Sequence, residues 1–158
     1  MMSSMTIQNE ATDIAYMRQA LALAQRAADQ GEVPVGALVV FEDKVIGEGW
    51  NRPISAHDPT AHAEIIALRD AASRLANYRL TGSSLYVTLE PCPMCAGAIV
   101  HARVARVIYG TIDPIAGAAG TVFNVLAAPS LNHRPAVQGG VLAEECAHRL
   151  KSFFQARR

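Results

Sequence analysis

The sequence reads His62-Ala63-Glu64 and, about thirty residues later, Pro91-Cys92-Pro93-Met94-Cys95. A Cys-x-x-Cys spacing places two sulfur atoms one helical turn apart, close enough to bind a single zinc ion. His62 can supply an imidazole nitrogen as a third ligand. Three protein ligands leave the fourth tetrahedral position for water, which is typical of a catalytic zinc site rather than a structural one. The two stretches together predict a zinc centre formed by His62, Cys92 and Cys95.

Glu64 follows the histidine by two residues and falls within the same first helical turn. Zinc lowers the pKa of its bound water towards neutrality, and a nearby carboxylate can take up the released proton and pass it on. A dry pocket with these groups suits attack on an electron-poor carbon that carries an amino group, which then leaves as ammonia. Glu64 is therefore the candidate proton shuttle.

These residues have other interpretations. A Cys-x-x-Cys in an α/β protein is also the pattern of a thioredoxin-like redox pair, and a lone histidine more often caps a helix or lies in the core. Redox motifs normally lack the upstream His-x-Glu, which favours zinc. Cys146 could in principle be a fourth ligand that closes the site. It shares a predicted helical face with Leu142, Leu150 and Phe153, so it is expected to be a buried thiol.

The hydrophobic pattern predicts one α/β domain in which strands alternate with helices, and hence three layers. The first twelve residues are expected to form a flexible tail, and residues 13–158 the domain. The loop from Thr111 to Asn132 is expected to hold one helical turn. Helices are predicted over Asp13–Gln30, residues 61–76, Cys92–Arg103 and Leu142–Arg157, and strands over Val35–Phe41, Lys44–Trp50, Leu85–Leu89, Val104–Tyr109 and Ala136–Gln138.

Composition limits the function classes. The 158 residues are 51% hydrophobic, enough for a sizeable core, and no apolar stretch is long enough for a membrane span. With no signal-peptide pattern and three cysteines that cannot all pair, a cytoplasmic protein is expected. The zero net charge excludes only a uniformly basic protein, since residues 1–79 carry −3 and residues 80–158 carry +3. The positive half contains seven basic residues, Arg103, Arg106, Arg134, Arg149, Lys151, Arg157 and Arg158, against four acidic ones.

Matching blocks in order from about Tyr16 to Arg158 are similar to the bacterial tRNA-specific adenosine deaminases. This resemblance implies a cytidine-deaminase-like α/β/α fold with a central mixed five-stranded sheet, and a homodimer with one Zn²⁺ per subunit. It also implies hydrolytic conversion of the wobble adenosine, position 34 of a tRNA anticodon loop, to inosine. The blocks are Glu32-Val33-Pro34-Val35-Gly36-Ala37, Gly47-Glu48-Gly49-Trp50-Asn51-Arg52-Pro53, His57-Asp58-Pro59-Thr60-Ala61-His62-Ala63-Glu64, Thr88-Leu89-Glu90-Pro91-Cys92, Gly117-Ala118-Ala119-Gly120, Leu131-Asn132-His133-Arg134 and Phe153-Phe154.

The resemblance also assigns roles to single residues. The zinc ligands of the family fall on His62, Cys92 and Cys95, and its proton shuttle on Glu64. Asn51 corresponds to the asparagine that contacts the base, and the backbone N–H groups of Ala63 and nearby residues are expected to orient the zinc-bound oxygen. The other substrate-binding residues implied are the pocket walls Val33, Ala63, Leu89 and Pro91, Asp113 near the nucleotide sugar, and Phe154 near the anticodon loop.

Two rival functions remain open at this stage. The same zinc core serves deaminases of a free base or nucleoside, such as guanine or cytosine. A non-catalytic zinc module that binds RNA is the other alternative, although such a protein would be expected to lose the glutamate, and Glu64 is present. One block also departs from the family, which often has a basic residue shortly after Asp113, whereas here Pro114, Ile115 and Ala116 follow. That puts one RNA phosphate contact in doubt.

Overall fold

The computed structural model describes residues 4–157, and the side chains from residue 9 onward. The helices and strands follow the predicted order closely. They are α1 (Ser4–Asp29), β1 (Gly36–Phe41), β2 (Lys44–Trp50), α2 (Ala63–Leu75), β3 (Ser84–Leu89), α3 (Pro93–Ala102), β4 (Arg106–Thr111), β5 (Ala136–Gln138) and α4 (Ala143–Gln155), with one turn of 3₁₀ helix at Val125–Ala127.

The five strands form one mixed sheet in the order β2-β1-β3-β4-β5. A tight turn makes β1 and β2 an antiparallel hairpin, and β1 is also antiparallel to β3. Helix α3 then connects β3 to a parallel β4, and β5 lies parallel to β4 at the edge. The prediction of a central mixed five-stranded sheet is confirmed.

Helices cover the sheet on both faces. Helices α2 and α3 pack on one face, and α1 and α4 pack on the other, so the domain has three layers. Because side chains alternate along a strand, β1 supplies apolar residues to both cores, which explains its nearly continuous apolar sequence. Residues of the α2/α3 core include Ala37, Val39, Leu85, Val87 and Val107, and those of the α1/α4 core include Leu38, Val40, Tyr86 and Ile108.

The first helix begins at Ser4, nine residues before its predicted start. Residues 9–12 are exposed, and burial begins at Asp13, so these residues show no apolar stripe that would reveal a helix. Residues 1–3 lie outside the described residues, and the division into a flexible tail and a domain stays a prediction. Although α1 is 26 residues long, none of the helices within residues 4–157 is apolar enough to cross a membrane.

An ion pair between a buried aspartate and a partly buried arginine links α1 to the sheet. Asp13, only 2% exposed, accepts hydrogen bonds from Arg106 on β4 (Nη1 to Oδ1, 2.8 Å) and from the hydroxyl of Tyr86 on β3 (2.6 Å). Gln138 on β5 accepts a further hydrogen bond from the same arginine. Because Arg106 lies at the start of β4, this cluster is at the opposite end of the sheet from the carboxyl ends of β3 and β4.

Asp13→Asn is expected to lower the free energy of unfolding by about 3 kcal/mol, because it leaves the partly buried Arg106 without its counter-charge. The exposed Arg18–Glu145 pair provides the control. Glu145→Gln is expected to cost less than about 1 kcal/mol, because solvent screens an exposed pair. Urea unfolding of both variants measures the difference. Equal losses in the two variants would contradict the stabilising role of Asp13.

Candidate active site

The predicted zinc ligands lie at the amino-terminal ends of two helices. His62 is the residue that precedes α2, and Cys92 is the residue that precedes α3, both with extended backbone. Pro93 occupies the first turn of α3, where its missing N–H and fixed φ are favourable, and Cys95 follows in the same turn. The partial positive charge of a helix amino terminus favours thiolate, the form of cysteine that binds zinc.

The three donor atoms are close enough to share one ion. The Sγ atoms of Cys92 and Cys95 each lie 3.5 Å from Nδ1 of His62, and all three donor atoms lie within 4.8 Å of one another. Tetrahedral zinc with a sulfur ligand at ~2.3 Å and a nitrogen ligand at ~2.05 Å requires a sulfur–nitrogen separation of ~3.5 Å. The donor set therefore fits Zn²⁺, and the geometry identifies Nδ1 as the ligand atom of the histidine.

The protonation states of these donors favour metal binding. Hydrogen bonds from Cys95 and His62 lower the pKa of Cys92 to about 4, so this sulfur is a thiolate at neutral pH. The hydrogen bond with Cys92 raises the pKa of His62. The hydrogen bond with Cys92, together with burial, raises the pKa of Cys95, because two adjacent sulfurs do not both ionise readily without a cation.

Glu64 lies in the first turn of α2, with its side chain buried beside this centre. Burial raises its pKa to about 7. A carboxyl group with such a pKa can both accept and release a proton near neutral pH, as a proton shuttle must. The structure thus brings together the four residues predicted for the chemical step.

Asn51 follows β2 and faces the start of α2. Its side-chain oxygen accepts a hydrogen bond of 2.9 Å from the backbone N–H of Ala63. This N–H is thus bonded to the asparagine, and the orientation of the zinc-bound oxygen by the N–H groups of Ala63 and nearby residues stays a prediction. The contact fixes the amide so that its Nδ2 group, which carries two donors, is left for another partner.

An apolar cavity of about 360 Å³ lies between the segment that precedes β1, the end of β3, the segment after β4 and helix α4. It brings together four of the predicted substrate-binding residues, Val33, Leu89, Asp113 and Phe154. Phe154 is half-exposed, whereas the preceding Phe153 is buried against the domain. Pro91 is buried and does not line the cavity, and its carbonyl accepts a hydrogen bond from Ala118. Ile112, Pro114, Ile115, Ala116 and Leu150 complete the wall.

A family model described as the cytidine and deoxycytidylate deaminase zinc-binding region matches residues 10–111. This region includes the three donors and Glu64. The chain belongs to the cytidine and deoxycytidylate deaminase family. Membership of this family, together with the clustered donors, establishes zinc as the cofactor.

Individual deaminases are similar to this chain over most of its length. The chain is 54% identical over 147 residues to a tRNA-specific adenosine deaminase of Haemophilus influenzae, covering 92% of this chain and 85% of that protein. A solved structure from a study of A-to-I editing by tRNA:A34 deaminases at the wobble position is 43% identical, with a TM-score of 0.84 over 86% of this chain and 99% of the other. A guanine deaminase from Nitrosomonas europaea has a TM-score of 0.78 at 24% identity, covering 89% and 83% of the two chains, and shows the fold alone.

Cys146, the third cysteine, is not part of the deaminase centre. It is 1% exposed and packs in the α1/α4 core, on the other face of the sheet from α2 and α3. Burial raises its pKa to about 12, so it stays a neutral thiol. The prediction that this cysteine is a core residue is confirmed.

Two buried carboxylates near the site were not predicted from the sequence. Glu32 is 2% exposed and accepts hydrogen bonds from the backbone N–H groups of Ile54 and Ser55, which lie in the segment between Asn51 and His62. Glu90 is 1% exposed and accepts hydrogen bonds from the segment after β4. The sequence offers one signal for Glu90, which directly follows an apolar strand. Acidic side chains are almost never fully buried unless they are paired, so this position indicates a carboxylate with hydrogen-bond partners.

Proposed function

We propose that the protein is a zinc-dependent hydrolase that converts the wobble adenosine of a tRNA anticodon to inosine and releases ammonia. The observation that carries this proposal is the position of Glu64 beside the convergent donors His62, Cys92 and Cys95, in a chain closely similar to tRNA-specific adenosine deaminases. We propose the catalytic role for Glu64 and the metal-ligand role for His62, Cys92 and Cys95, which this arrangement supports.

When bound by these residues, zinc makes water a nucleophile at neutral pH. Glu64 accepts a proton from the attacking water and delivers it to ring N1 of adenine as the oxygen bonds to C6. It then carries a second proton, from the added hydroxyl group, to the 6-amino group. The C6–N bond breaks, ammonia leaves and the C6 oxygen remains as the carbonyl of inosine.

The surroundings of the centre suit a base that has been turned out of an RNA loop. Bases in an anticodon loop are unpaired, so extruding one costs less than it would from a duplex. Asn51, whose oxygen is held by Ala63, offers its Nδ2 donors to an acceptor on the base. The apolar cavity with Val33, Leu89, Asp113 and Phe154 gives the adjoining nucleotides a surface for contact and stacking.

Product sequencing tests the proposal directly. The purified protein is incubated with total tRNA, and adenosine-to-inosine change is sought at position 34. In parallel, ammonia release is compared between an anticodon stem-loop carrying adenosine and free guanine, cytosine and cytidine. The proposal expects inosine in the stem-loop and no turnover of the free bases or the nucleoside. Activity on guanine alone would favour the free-base deaminase, and tRNA binding without turnover by zinc-loaded protein would favour the non-catalytic module.

Asn51→Ala is expected to reduce kcat/KM on the stem-loop about 10- to 100-fold, because a hydrogen bond to the base and the bond to Ala63 are both lost. Asn51→Asp is the matched control, because it keeps an oxygen acceptor for Ala63 but removes the donor. Steady-state kinetics on both variants separates the two roles. Full activity of Asn51→Asp would contradict the proposed contact with the base.

RNA binding in this proposal needs only a few phosphate contacts. Four arginines of the positively charged half, Arg106, Arg134, Arg149 and Arg157, already donate hydrogen bonds within the protein. The exposed Lys151 lies on α4, the helix that carries Phe154, and is the better placed contact. Arg158 lies outside the described residues. Affinity for the stem-loop is expected to fall with salt, and titrations at two salt concentrations measure the slope.

We further propose that two subunits associate, with one zinc ion in each, in the cytoplasm where tRNA is modified. An apolar groove between α2 and α3 supports this assembly, with Ile65, Leu68 and Ala98 in its wall and Tyr78 73% exposed at its side. A second copy of the chain would bury this surface. Sedimentation equilibrium together with metal analysis tests the proposal, which expects twice the chain mass and two zinc ions per particle.

A further inference from the structure

Glu90 is the centre of a set of hydrogen bonds that no step of the proposed reaction uses. Its carboxylate accepts backbone N–H groups from Asp113 (3.1 Å), Ala119 (2.9 Å) and Thr121 (3.2 Å), and the hydroxyl of Thr121 (2.6 Å). All four donors are uncharged, and all belong to the segment 113–121, hereafter the 113–121 loop. The loop is therefore folded around a single buried carboxylate.

The backbone of the 113–121 loop passes so close to this carboxylate that only glycine fits at one position. A Cβ atom on Gly117 would lie 2.5 Å from the carboxyl carbon of Glu90 and 2.5 Å from the carbonyl oxygen of Asp113. The next residue, Ala118, donates its N–H to the carbonyl of Pro91 at 2.8 Å. The loop is thus also hydrogen-bonded to the residue that directly precedes Cys92.

The other side of the 113–121 loop forms a wall of the apolar cavity. Asp113, Pro114, Ile115 and Ala116 line that cavity together with Val33. The carboxylate of Asp113 accepts the N–H groups of Ile115 (2.9 Å) and Ala116 (3.2 Å), so this wall is itself a fixed turn. Glu90 therefore connects the wall of the cavity to the end of β3, directly before the segment that contains Cys92 and Cys95.

We propose that Glu90 is a positioning residue for RNA binding: by organising the 113–121 loop it sets the distance between the cavity wall and the Cys92 side of the catalytic centre. Glu90 itself is buried and does not contact substrate. The inference rests on the proposed tRNA deaminase function, because the wall is expected to contact nucleotides beside the target base. A shift of ~1 Å in such a wall can cost ~100-fold in rate.

Glu90→Gln tests the role, because the amide nitrogen of glutamine would face N–H donors and lose their hydrogen bonds. KM and kcat are measured on an anticodon stem-loop with adenosine at the wobble position, together with zinc content and Tm. We expect KM to rise about tenfold or more while zinc remains bound. Asp13→Asn is the control, because it removes a carboxylate of similar burial at the far end of the sheet. It should lower Tm and leave KM unchanged.

Substitutions of Thr121 keep the test decisive if Glu90→Gln does not fold. Thr121→Val removes the hydroxyl that donates to Glu90 and should raise KM by a smaller factor, whereas Thr121→Ser retains the donor and should restore the wild-type KM. Unchanged KM in Glu90→Gln, or equal KM values in the two Thr121 variants, would overturn the positioning role alone. Absence of turnover by the wild-type protein would instead overturn the proposed function, and the role of Glu90 with it.

Discussion

Glu64→Gln is expected to lower kcat on the anticodon stem-loop by about 10³- to 10⁴-fold, at the upper end of what a positioned acid–base group contributes. Glutamine fills the same space but cannot accept the proton of the attacking water or deliver it to the base. The pKa of Glu64 is about 7, so the buried site already accommodates an uncharged side chain, and the variant should fold normally. Single-turnover formation of inosine measures the loss.

The expected loss should be confined to chemistry. Zinc content of Glu64→Gln is expected to equal that of the wild type, because Glu64 is not among the three grouped donors. The affinity for the stem-loop, measured by titration of the inactive variant, should also change little. Glu144→Gln, on the exposed surface of α4, is the control and should keep full activity. Substantial inosine formation by Glu64→Gln would contradict the shuttle role.

Local sequence signals predicted most of the fold. The strand over 44–50 has the predicted bounds, because its turn and its alternation are read from neighbouring residues. The helix predicted over Cys92–Arg103 spans Pro93–Ala102, so both boundaries lie within one residue of the prediction. The start of α1 was missed because its first described side chains are exposed, and nothing in the pattern distinguishes an exposed helix from a tail.

The site residues with characteristic side-chain chemistry could be predicted from the sequence. Those whose side chains accept hydrogen bonds from distant backbone groups could not. His62, Cys92, Cys95 and Glu64 have side chains whose spacing indicates a metal and a base. The role of Glu90 consists of hydrogen bonds from main-chain groups more than twenty residues away, and no residue type at those positions reveals them. The ion pair of Asp13 with Arg106 joins residues 93 positions apart, and no pattern in the sequence indicates it.

Cys95→Ser is expected to remove both zinc and activity. Cys95 is fully buried and is one of the three proposed zinc ligands, and serine lacks the thiolate that binds zinc strongly. Metal analysis after dialysis should find far less than one zinc ion per chain, and the stem-loop should not be deaminated. Tm should fall as well, since a metal that binds only the folded state stabilises it. Zinc bound at the wild-type level with normal activity would contradict the ligand set.

Cys146→Ala distinguishes a site of three protein ligands from one of four. Cys146 packs in the α1/α4 core, and a Cβ atom placed on Gly110 would meet its side chain, so its thiol lies on the opposite face of the sheet from α2 and α3. The variant should therefore keep its zinc and its kcat, with only the lower Tm expected when a buried sulfur is deleted. Loss of zinc from Cys146→Ala would mean a closed, structural site with no position for water. Retention of zinc there, combined with its loss from Cys95→Ser, leaves the fourth position for the water that the deamination requires.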